Sequence, residues 1–190
     1  VKELREAFPQ VPIVGVEPGV KPAVAQSRNQ RVGVMATPGT LKSEKFRQLV
    51  SSHAQGAELV LQACPGLARE IERGELDTPA LRALVHEFCE PLRAAQVDTV
   101  VLGCTHYPFV RPLIAQALGP DVLILDTADA VARHAASRLA RVPRLSSAHQ
   151  APPGGLQLWS SGDAAHLSEV TERWLGIRAP SAALPTALRP

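Results

Sequence analysis

The sequence predicts an α/β fold built around a parallel β-sheet. Short apolar runs alternate along the chain with longer stretches whose apolar side chains recur at helical spacing. The runs are apolar at nearly every position, as in residues 99–102, which is typical of parallel strands covered on both faces. Polar turns follow several runs, and in open parallel sheets ligands bind beyond the carboxyl ends of the strands.

The strands are predicted where β-branched and other apolar residues form a short run bounded by a turn. The first such run begins shortly after Pro9 and includes Pro12, and the others lead into glycine, proline or polar residues. These runs are residues 11–16, 31–36, 58–62, 98–102, 122–125 and 156–160.

The helices are predicted from apolar side chains at helical spacing between start and stop signals. Thr78 is expected to cap one helix with Pro79 in its first turn, and Gly74 and Gly119 each follow another. We predict helices at residues 1–8, 20–27, 43–54, 67–73, 78–95, 109–118, 128–142 and 164–175. Residues 143–155 are predicted to form a loop, and the tail after Gly176 to be frayed.

Composition excludes several classes of protein. The 190 residues carry 20 Lys and Arg against 18 Asp and Glu, a net charge of +2, so charge favours neither nucleic acid nor an acidic membrane as a partner. Three cysteines, an odd number, argue against a disulfide scaffold and for a reducing compartment. No apolar run is long enough to cross a bilayer.

Cys104 is the residue that most strongly suggests chemistry. It follows a predicted buried strand and Gly103, and a helix is expected to begin shortly after it, so backbone N–H groups could favour the thiolate. His106 could supply positive charge or exchange a proton. Gly103 would let a substrate approach the backbone. The alternative is a small buried cysteine at the end of a strand.

The other polar positions give weaker signals. Cys64 and Cys89 are interpreted as structural cysteines. Thr37 and Thr40 flank a Pro-Gly pair after a strand, where their hydroxyls could hold a carboxylate or phosphate. Capping is the alternative there, for which Thr40 or Ser43 would serve, and also at residues 161–163.

The chain also lacks the common cofactor signatures. It contains neither a Gly-x-x-x-x-Gly-Lys loop nor a Gly-x-Gly-x-x-Gly fingerprint, so no nucleotide cofactor is predicted. It has no Cys-x-x-Cys pair and no zinc-finger spacing, so no metal is predicted either. We therefore expect a site without a cofactor.

Several segments together resemble the bacterial glutamate racemases of the aspartate/glutamate racemase family. The most specific is Leu-Gly-Cys-Thr-His-Tyr-Pro at residues 102–108. The resemblance extends over residues 1–176 and also involves residues 14–19, 21–22, 33–37, 40–43, 63–65, 72–74, 161–163 and 173–176.

The resemblance implies a cytoplasmic isomerase that interconverts L- and D-glutamate and supplies D-glutamate for peptidoglycan, with no cofactor. Two thiols act on opposite faces of the substrate α-carbon. Cys104 matches the thiol on the L-glutamate side and His106 the histidine beside it. Thr105, Thr37 and Thr40 match substrate-binding positions, and a homodimer is compatible with the family.

The resemblance also implies that Glu72 orients the histidine, and that the fold has two pseudo-symmetric parallel-sheet domains. Residues 13–125 would form one complete domain, and residues 1–12 and 126–190 part of the other. The family's first cysteine lies in an Ala-Cys-Asn-Thr-Ala segment and is preceded by an Asp-Ser-Gly segment, and neither occurs in these 190 residues. We expect that the N-terminal segment is missing here and that this chain alone is inactive.

Three alternatives remain open. The substrate could be aspartate or a related compound, which racemases of the same kind accept. The chain could be a fragment that binds glutamate without catalysis. A thiol hydrolase using Cys104 and His106 is the third, although residues two apart on one loop rarely present the imidazole to the neighbouring thiol.

Overall fold

The protein forms two compact units in a computed structural model that describes residues 1–54, 56–141 and 155–185. The strands of the first unit are Arg31–Ala36 (β1), Glu58–Ala63 (β2), Thr99–Leu102 (β3) and Leu123–Leu125 (β4). Its α-helices are Lys2–Ala7 (α1), Val20–Gln26 (α2), Pro38–Lys42 (α3), Glu44–His53 (α4), Leu67–Ile71 (α5), Pro79–Ala94 (α6), Arg111–Leu118 (α7) and Ala128–Leu139 (α8). A 3₁₀ helix, Tyr107–Val110, precedes α7.

The four strands of this unit make one parallel sheet in the order β2-β1-β3-β4. In register, Val34 of β1 lies between Leu61 of β2 and Val101 of β3. Because all four strands run the same way, the loops that follow them meet at one edge of the sheet. The predicted α/β class with a parallel sheet is confirmed, and the polar turns predicted after β1, β2 and β3 lie at this edge.

The two central strands form the core because almost every side chain on them is apolar. All four residues of β3 and five of the six in β1 are buried. On one face, Val32, Val34 and Val101 contact buried residues of α2 and α4. On the other face, a Cβ on Gly33 would lie 3.0 Å from Leu92 of α6, so glycine allows that helix to pack close to the sheet.

The second unit, described from residue 155 to residue 185, is small. It contains Leu158–Ser160 (β5), Ala164–Leu175 (α9) and Ser181–Ala183 (β6), with β5 and β6 paired in parallel. Asp163 caps α9, since its carboxylate accepts hydrogen bonds from the amides of Ala165 and His166. This confirms the expected capping role of residues 161–163.

Two predictions about elements were wrong. Residues 11–16 form no strand: Pro12 has no N–H to donate, and the Ile13 carbonyl accepts hydrogen bonds from the Arg5 side chain instead of a neighbouring strand. The tail after Gly176 is not simply frayed, because residues 181–183 form β6. Its pairing with β5 continues through the amide of Leu184, which donates to the Ser160 carbonyl at 2.7 Å.

Other predictions were close. The strand at residues 31–36 and the helix at 164–175 have the predicted bounds, and Thr78 caps α6. The loop predicted at residues 143–155 lies almost wholly outside the described residues. The domain division at residues 13–125 stays a prediction, because it refers to the family fold and not to a compact unit of this chain. Within the described ranges, no helix is long and apolar enough to cross a membrane.

Asp98 ties the start of β3 to the turn after α2. Its carboxylate accepts hydrogen bonds from the Ser27 hydroxyl at 2.6 Å and from the amides of Arg28 and Asn29 at 2.7 and 2.8 Å. The Thr99 hydroxyl donates to it as well, at 3.0 Å. Burial acts to raise the pKa of Asp98, but these hydrogen bonds outweigh it and hold the pKa below its usual value.

We predict that Asp98→Asn lowers the free energy of unfolding by about 1–3 kcal/mol at pH 7, because an amide cannot accept from all four donors. The carboxylate's contribution is present above the ordinary aspartate pKa of about 4 and is lost as pH falls through the lower pKa of the folded protein. Urea unfolding of both proteins at pH 7 and in acid measures this. Glu44→Gln, which removes an exposed ion-pair partner, is the control. Equal stability of Asp98→Asn and wild type at pH 7 would contradict the prediction.

Candidate active site

A cavity of about 360 Å³ opens at the carboxyl edge of the four-stranded sheet. The loop after β3 contributes Cys104 and Thr105 to its wall, and α3 contributes Thr40. The segment before α2 and the segment after β4 add Glu17, Pro18, Asp126 and Thr127 to the lining. The edge predicted from the sheet topology therefore carries a cavity that contains the candidate thiol.

Gly103 fixes the turn that presents Cys104. Its amide donates to the Met35 carbonyl at 2.7 Å. A Cβ on this residue would lie 2.9 Å from that same oxygen and 3.1 Å from the Ala36 Cβ. The structure thus gives Gly103 a packing role, in which the turn lies directly against the end of β1. Gly103 also lines the cavity, and its role of admitting a substrate to the backbone stays a prediction.

Cys104, His106 and Glu72 form a connected chain of side chains. The Cys104 Sγ lies 3.6 Å from His106 Nδ1, and His106 Nε2 lies 2.5 Å from Glu72 Oε1. Glu72 comes from the end of α5, 34 residues before the histidine. The imidazole does reach its neighbouring thiol, so the expectation that two residues on one loop would not pair in this way was wrong.

The backbone around Cys104 differs from what the sequence suggested. The helix that follows begins as the 3₁₀ helix Tyr107–Val110. The Tyr107 amide donates to the Cys104 carbonyl oxygen at 3.2 Å. His106 is therefore the partner that the structure gives the thiol, where the sequence suggested backbone N–H groups of a following α-helix.

Thr37 and Thr40 share one hydrogen-bonded pair of hydroxyls. Their Oγ1 atoms lie 2.9 Å apart, and the Thr40 amide donates to Thr37 Oγ1 at 3.2 Å, so Thr37 caps α3. Ser43 caps α4, as expected, whereas the cap on α3 is Thr37 and not Thr40. Only Thr40 of this pair lines the cavity. Thr37 holds the Thr40 hydroxyl in place there.

The six predicted site residues are thus arranged in two layers. Cys104, Thr105 and Thr40 line the cavity. Behind them, Thr37 contacts Thr40, His106 contacts Cys104, and Glu72 contacts His106. A donor and acceptor chain of this kind can move a proton to or from the thiol.

The other two cysteines lie in apolar surroundings. Cys64 and Cys89 are each 1% exposed. Burial raises the pKa of both thiols to about 12, so they remain protonated near neutral pH. The fully buried Tyr107 donates from its hydroxyl to the Cys64 carbonyl at 3.4 Å. The structural interpretation of Cys64 and Cys89 agrees with this burial.

Two acidic residues of the cavity were not among the predicted site residues. Asp126 directly follows β4 and pairs with Arg111, with 3.0 Å between Asp126 Oδ2 and Arg111 Nη1. Glu17 pairs with Lys45 across 3.2 Å. The position of Asp126 at the carboxyl end of a strand was the signal that could have identified it.

A parallel α/β unit with a thiol, an imidazole and a carboxylate in series beside a cavity defines a class of proteins that use a thiol for proton or acyl chemistry. The Asp/Glu/Hydantoin racemase family matches residues 1–135. The chain belongs to this family.

Individual relatives agree with that assignment. The chain is 49% identical over 171 residues to a glutamate racemase of Methylococcus capsulatus, covering 90% of this chain and 61% of the relative. It is 45% identical over 170 residues to one of Pseudomonas putida, covering 90% and 63% respectively. The chain therefore spans about three fifths of the length of these curated relatives.

Solved structures show the same fold. A glutamate racemase isoform from Bacillus anthracis superposes with a TM-score of 0.81 at 28% identity, covering 97% of this chain and 68% of that one. An Escherichia coli glutamate racemase, in complex with L-glutamate and an activator, gives 0.80 at 26% identity and covers the same shares. The predicted racemase fold class is confirmed by these similarities.

We predict that iodoacetamide at pH 8 modifies Cys104 in the folded protein and leaves Cys64 and Cys89 intact. A thiol with a pKa near 12 is ionised in only about one molecule in ten thousand at that pH, and both buried thiols are also shielded from the reagent. Peptide mass spectrometry identifies the modified residue. The same reaction in denaturant, where all three should react, is the control. Modification of Cys64 as fast as Cys104 would refute the prediction.

Proposed function

We propose that the function supported by this chain is that of a glutamate racemase. Such an enzyme interconverts L- and D-glutamate by proton exchange at the α-carbon without a cofactor. The observation that carries the proposal is the Cys104 thiol on the cavity wall with His106 behind it. The 45–49% identity to glutamate racemases supports glutamate as the substrate.

The thiolate of Cys104 is the base in this proposal. It takes the α-proton of L-glutamate, so a Cα–H bond breaks, an S–H bond forms, and the electron pair stays on the α-carbon and spreads into its carboxylate. Returning a proton to the opposite face gives D-glutamate. Because an amino-acid α-proton is weakly acidic, the site must also stabilise that negative charge.

His106 and Glu72 act on the thiol in the same scheme. The imidazole lies between the Cys104 sulfur and the Glu72 carboxylate, so it can accept the thiol proton while the carboxylate stabilises the resulting positive charge. Glu72 also fixes the direction in which the ring points. Its role is therefore to position His106.

The substrate carboxylates have hydroxyl groups available to them. Thr40 and Thr105 line the cavity, and Thr37 orients the Thr40 hydroxyl. Hydroxyl groups can donate to a carboxylate without adding charge to the site. We propose that Thr40 and Thr105 bind glutamate, and that Thr37 holds the Thr40 hydroxyl in place for that contact.

The wider roles follow from the same proposal. D-glutamate made by such an enzyme would be used for peptidoglycan, and hence for cell-wall synthesis and cell shape, in the cytoplasm. A homodimer is the proposed assembly. Neither nucleic acid nor a membrane is proposed as a partner.

The family reaction uses a second thiol on the opposite face, which the resemblance assigns to a segment that these 190 residues do not contain. We therefore propose that this chain alone exchanges the α-proton of L-glutamate on one face and does not invert it. Cys104 would remove the proton, exchange it with solvent, and return it to the same face.

We predict that L-glutamate incubated with the full chain in D₂O loses its α-proton NMR signal while chiral chromatography finds no D-glutamate. Cys104→Ala should abolish the exchange, because the base is gone. Cys89→Ala, which removes a buried thiol away from the cavity, should leave it within about twofold of wild type. L-aspartate should exchange more slowly than L-glutamate.

The possible outcomes separate the alternatives. Exchange at the same rate in Cys104→Ala would contradict the role of this thiol. Glutamate binding measured by calorimetry, with no exchange, would favour the non-catalytic fragment. Faster exchange of aspartate would change the substrate. D-glutamate formed by this chain would support racemisation and refute the expectation of inactivity.

A further inference from the structure

The part of the cavity wall that follows β4, the strand next to β3, is contacted by an arginine outside the cavity lining. That wall consists of Asp126, Thr127, Ala128 and Val131, from the end of β4 and the start of α8. The pairing of β3 with β4 ends at Val101 and Leu125, one residue before the wall begins. Beyond that point, a side chain from the segment after the Cys104 loop contacts the wall.

Arg111 supplies these contacts. It is the first residue of α7 and follows the 3₁₀ helix that begins after His106. Only this short helix separates it along the chain from the Cys104 loop. Its Nη2 donates to the Ile124 carbonyl at 2.9 Å, and its Nη1 donates to Asp126 Oδ2 at 3.0 Å. The rigid guanidinium fork thus joins the end of β4 to the chain segment that carries the thiol.

Asp126 also connects Arg111 to α8. Its Oδ1 accepts from the Ala128 amide at 3.0 Å, while its Oδ2 is held by Arg111. The Asp126 side chain is 20% exposed and that of Arg111 is 46% exposed, so the pair is partly shielded from solvent. One carboxylate therefore links the arginine to the first turn of the helix that forms the wall.

The ion pair between Arg111 and Asp126 also balances charge at the cavity. Among the described residues that line the cavity, the charged ones are Glu17 and Asp126, and neither lysine nor arginine is present. A substrate with two carboxylates would be repelled by an uncompensated Asp126. Because Arg111 neutralises Asp126 from outside, the cavity can admit an anion without placing a cation against it.

We propose that Arg111 is a positioning residue: acting through Asp126, it holds the β4–α8 wall of the cavity that Cys104 also lines, and cancels the negative charge of that wall. The inference deepens the proposed racemase function and rests on it for the identity of the anion. The charge balance itself can be measured without any turnover.

The test compares alkylation of Cys104 by anionic iodoacetate and neutral iodoacetamide in the full chain, with modification followed by mass spectrometry. Arg111→Met leaves Asp126 uncompensated, so the ratio of the iodoacetate rate to the iodoacetamide rate should fall about threefold, as expected for one unit charge in largely hydrated surroundings. Asp126→Asn should raise the same ratio about threefold, because Arg111 is then unpaired. The double variant should return near the wild-type ratio.

Two further variants keep the test decisive. Arg111→Lys retains the charge and should retain the ratio, while Arg47→Met removes an exposed arginine paired with Glu44 and should change nothing. A purely structural role would change both reagents' rates by the same factor. Unchanged ratios in Arg111→Met and Asp126→Asn would overturn the proposal, and if Arg111→Met does not fold, an unchanged ratio in Asp126→Asn overturns it alone.

Protection by L-glutamate then separates this inference from the proposed function. In the wild type, L-glutamate should slow alkylation of Cys104, and Arg111→Met should need about threefold more glutamate for the same protection. Absence of protection in the wild type would count against glutamate as the ligand and leave the reagent ratios to decide the role of Arg111. Protection at equal glutamate concentrations in both proteins would contradict that role.

Discussion

The hydrogen bond from the Gly103 amide to the Met35 carbonyl sets where the candidate thiol lies. At 2.7 Å it holds the residue before Cys104 against the carboxyl end of β1, a buried central strand. Any side chain at position 103 would collide with that carbonyl, so the close contact depends on glycine. The parallel sheet therefore determines the position of Cys104, because buried residues hold β1 and β3 in place.

The other contacts of this loop reach the remaining strands of the sheet. The Tyr107 hydroxyl bonds to the Cys64 carbonyl after β2, and Arg111 bonds to the Ile124 carbonyl in β4. The loop after β3 is thus tied to the ends of all three other strands. Such a loop loses its conformational freedom when the sheet folds, and a preorganised thiol and imidazole need no further ordering when a substrate arrives.

The sequence predicted what depends on local pattern. Residues 31–36 are apolar at five of six positions, and the strand has the predicted bounds. Residues 11–16 show a similar pattern but form no strand, because pairing depends on a neighbour that the pattern does not reveal. The short β6 was missed for the same reason: its three residues include no large or β-branched side chain, and they pair because β5 lies beside them.

The residues of the candidate site also differ in whether a local sequence pattern could reveal them. Cys104 and His106 could be identified as site residues from their place after a strand, whereas the contact between them became visible only in the structure. Glu72 came only from the family resemblance, since its contact with His106 joins positions 34 residues apart. Arg111 gave no signal, because its importance lies in bonding a carboxylate that is itself visible only once β4 and α8 are in place. The two acidic residues of the cavity lining, Glu17 and Asp126, are paired with Lys45 and Arg111, which lie outside that lining. That arrangement is a property of the folded sheet edge and not of any single motif.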